Sequence, residues 1–188
     1  GGAQMKLLYH YGGLIVPPSF LCEKDLMDWW RKNTSENKIA CPMVHLKSTA
    51  NPETNVGPTI RFIGSQKGNE ACSELIEFLA LQASKNMSGE SEFLGSVTSW
   101  LSQHNEVNKT SALEVGVCDS SGKLLGLEEY LGQSNVMMSD DRVGILFPAE
   151  DVLNRVKYQW FARLSPEQAV TSNTFFGSEL MKQQSCED

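Results

Sequence analysis

The sequence has no cluster of lysine or arginine and no long apolar run, and each absence argues against a class of function. It carries 16 basic and 23 acidic residues, for a net charge of −7. Contact with phosphates needs clustered cations, so a nucleic-acid-binding surface is not expected. The longest apolar candidate, at 14–16, stops at Pro17 and is far shorter than the roughly 20 residues of a membrane helix. We therefore expect neither nucleic acid nor a membrane as a direct partner.

The sequence also lacks closely spaced cysteines. Its five cysteines are odd in number and far apart, at Cys22, Cys41, Cys72, Cys118 and Cys186. This pattern argues against a disulfide framework or a zinc site, and the three histidines show no metal-ligand spacing. We predict reduced thiols in a cytoplasmic protein with no metal and no cofactor. Three N-glycosylation patterns, at Asn33, Asn86 and Asn108, point the other way, but such short patterns are frequent by chance.

The composition suits one compact domain or two subdomains, because 40% of the 188 residues are apolar and 21% are charged. Gly1-Gly2-Ala3-Gln4 is typical of a cloning remnant before a natural start at Met5, and no secretory signal follows Met5. The order of elements predicts a first subdomain over residues 5–86, a second over 90–172, and a partly disordered tail over 173–188.

The first half of the chain mixes strands and helices. The predicted elements are a strand Met5–Tyr11, a helix capped by Ser19 and ending near Lys32, strands Ile39–Leu46 and Thr59–Ile63, and a helix Glu70–Lys85. The last of these has the clearest pattern, with apolar residues at three- and four-residue spacing. Gly57-Pro58 stands directly before the third strand, an unusual start for a strand.

The second half has helical patterns only. The predicted elements are a helix Ser91–His104, a polar loop His104–Ser111, a helix Lys123–Leu131, a helix N-terminus at Ser139-Asp140-Asp141, and a helix Asp151–Leu164. The predicted fold class is therefore α+β followed by all-α. A mixed-sheet subdomain with a helical one after it is a restricted choice.

That order, with Gly57-Pro58 opening the third strand, resembles the glutathione-transferase family. "CSELIEFLALQ" is similar to the helix that closes the family's first half, and "SEFLGSVTSWLSQ" to the first helix of its second half. "GLEEYLGQSNVMMSDDRVGILF" is similar in layout to the family's helix, loop and capped core helix. The resemblance implies a thioredoxin-like subdomain, in which a cis peptide bond before Pro58 sets the third strand beside a ligand cleft.

One further segment, "VKYQWFARL", resembles a Trp-Phe segment of one branch of the family. That branch comprises the non-catalytic glutathione-transferase-like domains of aminoacyl-tRNA synthetases and of the scaffold proteins of multi-synthetase complexes. The resemblance spans roughly Met5 to Leu164. It implies an interaction role in translation rather than catalysis.

The glutathione-binding positions depart from the family. Active members carry an acidic residue and a serine before the closing helix of the first half, and the corresponding positions here are Ala71 and Cys72. Glu70 and Ser73 flank that pair but are out of register. If a ligand cleft exists, the resemblance assigns Pro58, Cys72 and Ser73 to it.

The position of the family's activating hydroxyl or thiol, in or just after the first strand, is also ambiguous. Four residues compete for it, namely Tyr9, Tyr11, Ser19 and Cys22. The cap of the core helix differs as well. The family has a hydroxyl residue followed three positions later by Asp, whereas here Ser139 is followed at that spacing by Arg142, which cannot accept a hydrogen bond. No residue is therefore assigned as catalytic with any preference.

Partner-binding candidates come from aromatic and basic residues. Trp29 and Trp30 are adjacent on a predicted helix and lie about 100° apart, so at least one of them is expected to be partly exposed. Arg155, Lys157 and Arg163 share a predicted helix and are candidates for pairing with acidic residues of a partner. The branch has an arginine directly before the tryptophan, where this chain has Gln159. The neighbouring Trp160-Phe161 has the spacing of core residues.

Three functions remain open at the level of sequence. The first is a non-enzymatic module that docks other glutathione-transferase-like domains and so assembles tRNA synthetases or translation factors, as a homodimer or a heterodimer. The second is an active glutathione transferase with a divergent glutathione site. The third is an unrelated α/β interaction domain.

Overall fold

The computed structural model describes residues 2–46, 56–85 and 89–187. The chain is of the mixed α/β type and forms two compact units. The first unit contains residues 1–18 and 25–112, and the second contains 19–24 and 113–188. The second unit thus takes a short segment from near the start of the chain and otherwise begins at Leu113, whereas the predicted second subdomain begins at residue 90.

The first unit contains four helices and six strands among its described residues. In chain order they are α1 Gly2–Tyr11, β1 Gly13–Ile15, α2 Leu26–Asn33, β3 Ile39–Pro42, β4 Val44–His45, β5 Val56–Gly57, β6 Ile63–Ser65, α3 Glu70–Ser84, α4 Glu90–Gln103 and β7 Val107–Thr110. Four strands form one sheet in the order β1-β6-β3-β7. Strand β3 is antiparallel to β6 and parallel to β7, whereas β4 and β5 form a separate antiparallel pair among the described strands.

The core of the first unit lies where α1, α3 and α4 meet the sheet. Leu75 and Leu101 are fully buried there, as are all four residues of β3. Helix α3 begins after Asn69, whose side-chain oxygen accepts a hydrogen bond from the backbone nitrogen of Cys72 at 2.9 Å. The predictions of helices at 70–85 and 91–104 are confirmed. The predicted apolar side of α3 is right for Cys72, Leu75 and Leu79, which are buried, but at the end of the helix Ala80 and Ala83 are exposed and Gln82 is buried.

The first predicted strand is wrong, because Met5–Tyr11 belongs to helix α1. Met5 and Leu8 are buried while Lys6 and Leu7 are exposed, which is the three-residue spacing of a helix rather than the alternation of a strand. A run of seven residues is too short for periodicity to separate the two. Residues 2–4, which belong to the segment interpreted as a cloning remnant, are the first residues of α1.

Four further predictions need correction. The predicted helix from Ser19 begins only at Leu26, because the carboxylate of Asp25 accepts the backbone N–H of Met27 at 2.8 Å and caps it there. The third strand starts at Ile63 rather than Thr59, and the Gly57–Pro58 peptide bond is not cis. The predicted polar loop after residue 104 contains strand β7, which pairs along its whole length with β3.

The second unit contains two strands and five helices among its described residues. They are β2 Phe20–Cys22, α5 Leu127–Tyr130, β8 Gly144–Leu146, α6 Ala149–Asn154, α7 Gln159–Ala162, α8 Pro166–Val170 and α9 Phe175–Glu187. Strands β2 and β8 form an antiparallel pair in which Cys22 lies opposite Gly144. The rings of Phe147 and Phe176 stack at 4.6 Å in the core, and the hydroxyl of Tyr130 donates to the Gly116 carbonyl at 2.7 Å.

Several predictions in the second half are also wrong. Strands β7 and β8 lie beyond residue 90, where only helices are predicted, and Ser139-Asp140-Asp141 forms a turn before β8 instead of a helix N-terminus. The helix predicted over 123–131 covers only α5, and the one over 151–164 is broken at Arg155, whose backbone is extended. Within the tail predicted to be partly disordered, Phe175–Glu187 form helix α9, in which Phe175 and Phe176 are buried.

Candidate protein-binding surface

The four candidates for an activating group are divided between the two units. Tyr9 and Tyr11 lie on α1 of the first unit, where Tyr9 packs against the core and Tyr11 is 79% exposed. Ser19 and Cys22 belong to the second unit. The Ser19 carbonyl accepts from the backbone nitrogen of Phe147 at 3.2 Å, and the Cys22 thiol donates to the Lys24 carbonyl at 3.0 Å. Each candidate thus has a local structural role or points into solvent.

The predicted cleft residues offer little open surface. Pro58 is buried, and its carbonyl accepts the hydroxyl of Thr98 at 3.0 Å, so it is not presented to a ligand. Cys72 is fully buried, its sulfur lies 3.8 Å from the Met5 carbonyl, and burial raises the pKa of its thiol. Ser73 is half-buried in the first turn of α3. Cys72 is therefore a packing residue of the first unit rather than a reactive thiolate.

Two of the three asparagines in N-glycosylation patterns make side-chain hydrogen bonds within the first unit. Asn33 is buried and its amide nitrogen donates to the Trp29 carbonyl at 2.8 Å. The amide nitrogen of Asn108 donates to the Asn33 carbonyl at 3.1 Å. Asn33 and Asn108 thus contribute hydrogen bonds to the first unit, whereas Asn86 lies outside the described residues.

The two adjacent tryptophans have structural contacts within the first unit. Trp29 is 5% exposed and packs against Phe62, with ring centroids 6.0 Å apart. Trp30 is half-buried and donates its indole N–H to the Gly13 carbonyl at 2.8 Å. Of the predicted partner-binding residues, Trp29 therefore leaves very little of its ring for a partner.

The clearest exposed apolar surface in the described chain lies on α6, the turn after it, and α7. Leu153 is exposed, Val156 is 83% exposed and Trp160 is 43% exposed. The side-chain amide of Gln159 donates to the Leu153 carbonyl at 3.1 Å and so holds α7 against the end of α6. The ring of Phe161 packs on that of Phe147 at 5.5 Å, as its core spacing predicts, whereas its neighbour Trp160 contacts Phe161 edge-on and is 43% exposed.

The same surface is basic. Arg155 and Lys157 lie over the ring of Tyr158, at 5.0 and 5.4 Å from its centroid, and Arg163 is exposed. Among the residues that the structure describes, no carboxylate is within 4 Å of Lys157 or Arg163. We define the basic strip as these three cations together with Leu153, Val156 and Trp160. Residues 152–166 contain no acidic residue, in a chain whose net charge is −7.

An acidic cleft adjoins the basic strip. It has a volume of about 350 Å³ and is lined by Asp119, Lys123, Leu125, Glu128, Glu129, Gly132, Ser134, Asn135, Val136 and Met137. The Glu128 carboxylate accepts a charged hydrogen bond from Arg155 at 2.6 Å, which joins the cleft to the strip. That bond lowers the pKa of Glu128 and raises the pKa of Arg155.

Removal of the Arg155 guanidinium is expected to raise the pKa of Glu128 towards its ordinary value of about 4.3. Because the pKa of Glu128 is lowered in the folded chain, the ion pair between Arg155 and Glu128 is fully formed above the ordinary pKa. It is lost only as the pH falls through the lowered pKa. A carbon-detected NMR titration of the Glu128 carboxyl in wild type and Arg155→Met measures the shift. Arg163→Met is the matched control and leaves the titration unchanged. An equal midpoint in wild type and Arg155→Met would contradict the assignment.

A second cavity, of about 260 Å³, is lined by Glu23, Lys24, Asp140 and Arg142. Arg142 binds Glu23 through two hydrogen bonds of 2.9 and 3.2 Å, and it lies 3.9 Å from the buried Glu179. Hydrogen bonding to Glu23 raises the pKa of Arg142. Arg142 therefore links the residue that follows β2 to α9 and has no part in a helix cap. The described residues contain no cluster of histidine, cysteine and acidic side chains that could hold a metal ion.

Comparison with protein-family models, with curated proteins and with solved structures gives no match to this chain. None of the helices in the described ranges has the length and apolar character to cross a membrane. The structure thus places Arg155 and Lys157 together over the ring of Tyr158, and it leaves Trp160 and Arg163 of the next helical turn exposed. Sequence reasoning missed Leu153, Val156 and the cleft around Glu128, because their spacing is that of ordinary core and helix residues.

Proposed function

We propose that this protein is a non-enzymatic protein–protein interaction module that binds its partner through the basic strip. The observation that carries the proposal is the exposure of Val156 and Trp160 beside Lys157 and Arg163. Aromatic side chains and arginine are enriched at interfaces, and an apolar surface rimmed by charge is typical of a docking site. In the described chain neither Lys157 nor Arg163 has a carboxylate within 4 Å, so each can make a direct ion pair with a partner.

The nature of the partner is proposed from the family resemblance. The segment "VKYQWFARL", which resembles the synthetase-associated branch of the glutathione-transferase family, contains most residues of the basic strip. The first partners to test are accordingly other glutathione-transferase-like domains, of the kind carried by tRNA synthetases and translation factors. In this proposal the first unit is thioredoxin-like and serves as scaffold. The burial of Pro58 and Cys72 supports a role without glutathione chemistry.

Affinity capture from the source cytosol tests the function. Val156→Asp with Trp160→Ser is expected to reduce recovery of synthetases or translation factors at least about tenfold, because it removes the exposed apolar anchors. Leu81→Asp is the matched control, since Leu81 is an exposed leucine on α3 of the first unit. The proposal predicts that this control retains the same partners as wild type, as measured by quantitative mass spectrometry.

Calorimetry with glutathione and a chromogenic thiol-conjugation assay address the enzymatic alternative. The proposal predicts no saturable binding and no turnover with the full chain. Saturable glutathione binding with turnover would overturn the non-enzymatic assignment. If wild type and the double variant recovered every translation component equally, the basic strip would not be the surface that binds them.

A further inference from the structure

We propose that the basic strip of one chain docks on the acidic cleft of a second copy of the same chain, and that the reverse contact forms around a two-fold axis. This inference rests on the proposed function, because it names the partner of the same surface. The dimer would be closed, with each half of the interface made of one strip and one cleft.

The charges of the two surfaces are complementary. The strip has three cations and no acidic residue over 152–166. The cleft has three carboxylates, those of Asp119, Glu128 and Glu129, and one lysine, Lys123, which lies 3.5 Å from Glu129. Complementary potentials of this kind set the register of an interface and speed the encounter of its partners.

The cleft can also receive an apolar side chain. Leu125 and Val136 contribute apolar lining, and Met137 is exposed at the cleft. On the strip, Val156 and Trp160 are the exposed apolar groups that could enter a cleft of about 350 Å³. Flexible methionine side chains suit such contacts, since they adapt to the shape of the group they meet.

The positions of the two surfaces favour a two-fold arrangement. They meet at the 2.6 Å pair between Arg155 and Glu128, so that strip and cleft lie side by side on each copy. A two-fold axis near this pair brings each strip onto the opposite cleft. A strip facing a strip would instead set three cations against three cations, which costs free energy.

Sedimentation equilibrium of the full chain tests the dimer. The wild type, of 20.8 kDa, is expected to show twice that mass and to dissociate more readily in about 0.5 M salt, where charges are strongly screened. Lys157→Glu with Arg163→Glu makes the strip acidic. Glu128→Lys with Ser134→Lys and Asn135→Lys makes the cleft basic. Asp119 and Glu129 are kept, because their carboxylates accept backbone N–H groups of the unit itself.

Each charge-reversed variant alone is expected to dimerise at least about tenfold more weakly than wild type. An equimolar mixture of the two is expected to recover the dimer, because the acidic strip then faces a basic cleft and the basic strip faces an acidic cleft. Lys6→Glu with Lys85→Glu on the first unit is the matched control for charge, and its mass should equal that of wild type.

A monomeric wild type, a dimer that both variants leave intact, or a mixture that stays monomeric would each overturn the inference. The proposed function is judged separately by affinity capture. If the wild type is monomeric but loses a translation partner through Val156→Asp with Trp160→Ser, the self-association fails and the interaction function stands. If capture also fails to depend on the strip, both fail.

Discussion

Replacement of Arg142 by methionine is expected to lower the free energy of unfolding by about 3 kcal/mol. Arg142 binds Glu23 with two hydrogen bonds and lies near Glu179, and about four-fifths or more of each of these side chains is buried. Without the guanidinium, two largely buried carboxylates face each other across the space it occupied. The loss of a partner for a buried charge costs more than the ion pair itself contributes.

Urea unfolding followed by circular dichroism measures this loss. Arg163→Met is the control, because Arg163 is exposed without a nearby carboxylate in the described chain, and a change within about 0.5 kcal/mol is expected. The double variant Glu23→Leu with Arg142→Met should regain part of the stability, since one unpaired carboxylate is removed. A loss of the same size in Arg142→Met and Arg163→Met would refute the structural role.

Substitution of Gly144 by alanine is expected to cost about 3 kcal/mol, at the upper end of the cost of overpacking. Gly144 lies in β8 opposite Cys22. A Cβ atom there would lie well under 3 Å from the Leu21 carbonyl oxygen and the ring of Phe20. The oxygen is part of the neighbouring strand and cannot move away without breaking the β2–β8 pair.

Gly95→Ala is the matched control, and its expected change in stability has the opposite sign. Gly95 lies in α4, and a Cβ atom at this position meets nothing within 4 Å. Alanine should therefore raise stability by about 0.5–1 kcal/mol through its higher helix propensity. Differential scanning calorimetry of both variants gives the comparison. An unchanged transition temperature in Gly144→Ala would mean that β2 and β8 are not in close contact.

The sequence predicts the long helices of the first unit well and its short strands poorly. Helices α3 and α4 have apolar stripes over four turns, and such patterns depend little on the rest of the fold. Strand β7 has the sequence V-N-K-T, with one apolar residue, and a polar loop was the natural interpretation. It is a strand because the buried β3 beside it needs backbone partners.

The candidate surface was harder to predict than the fold. Leu153, Val156 and Trp160 recur at three- and four-residue spacing, which in a continuous helix indicates a buried face. The extended backbone of Arg155 interrupts that helix, so the spacing no longer describes one face. The link between Arg155 and Glu128 joins residues on separate elements, and local pattern carries no information on it.

Strand β2 has a consequence for how the chain is made. Its residues leave the ribosome between two segments of the first unit, and their partner strand β8 is synthesised only after the whole of that unit. Strand β2 therefore stays unpaired until β8 emerges, and such distant pairings form slowly. For the same reason neither unit is a continuous piece of the gene. A fragment starting at Leu113 would leave the edge of β8 open, and an exposed edge invites aggregation.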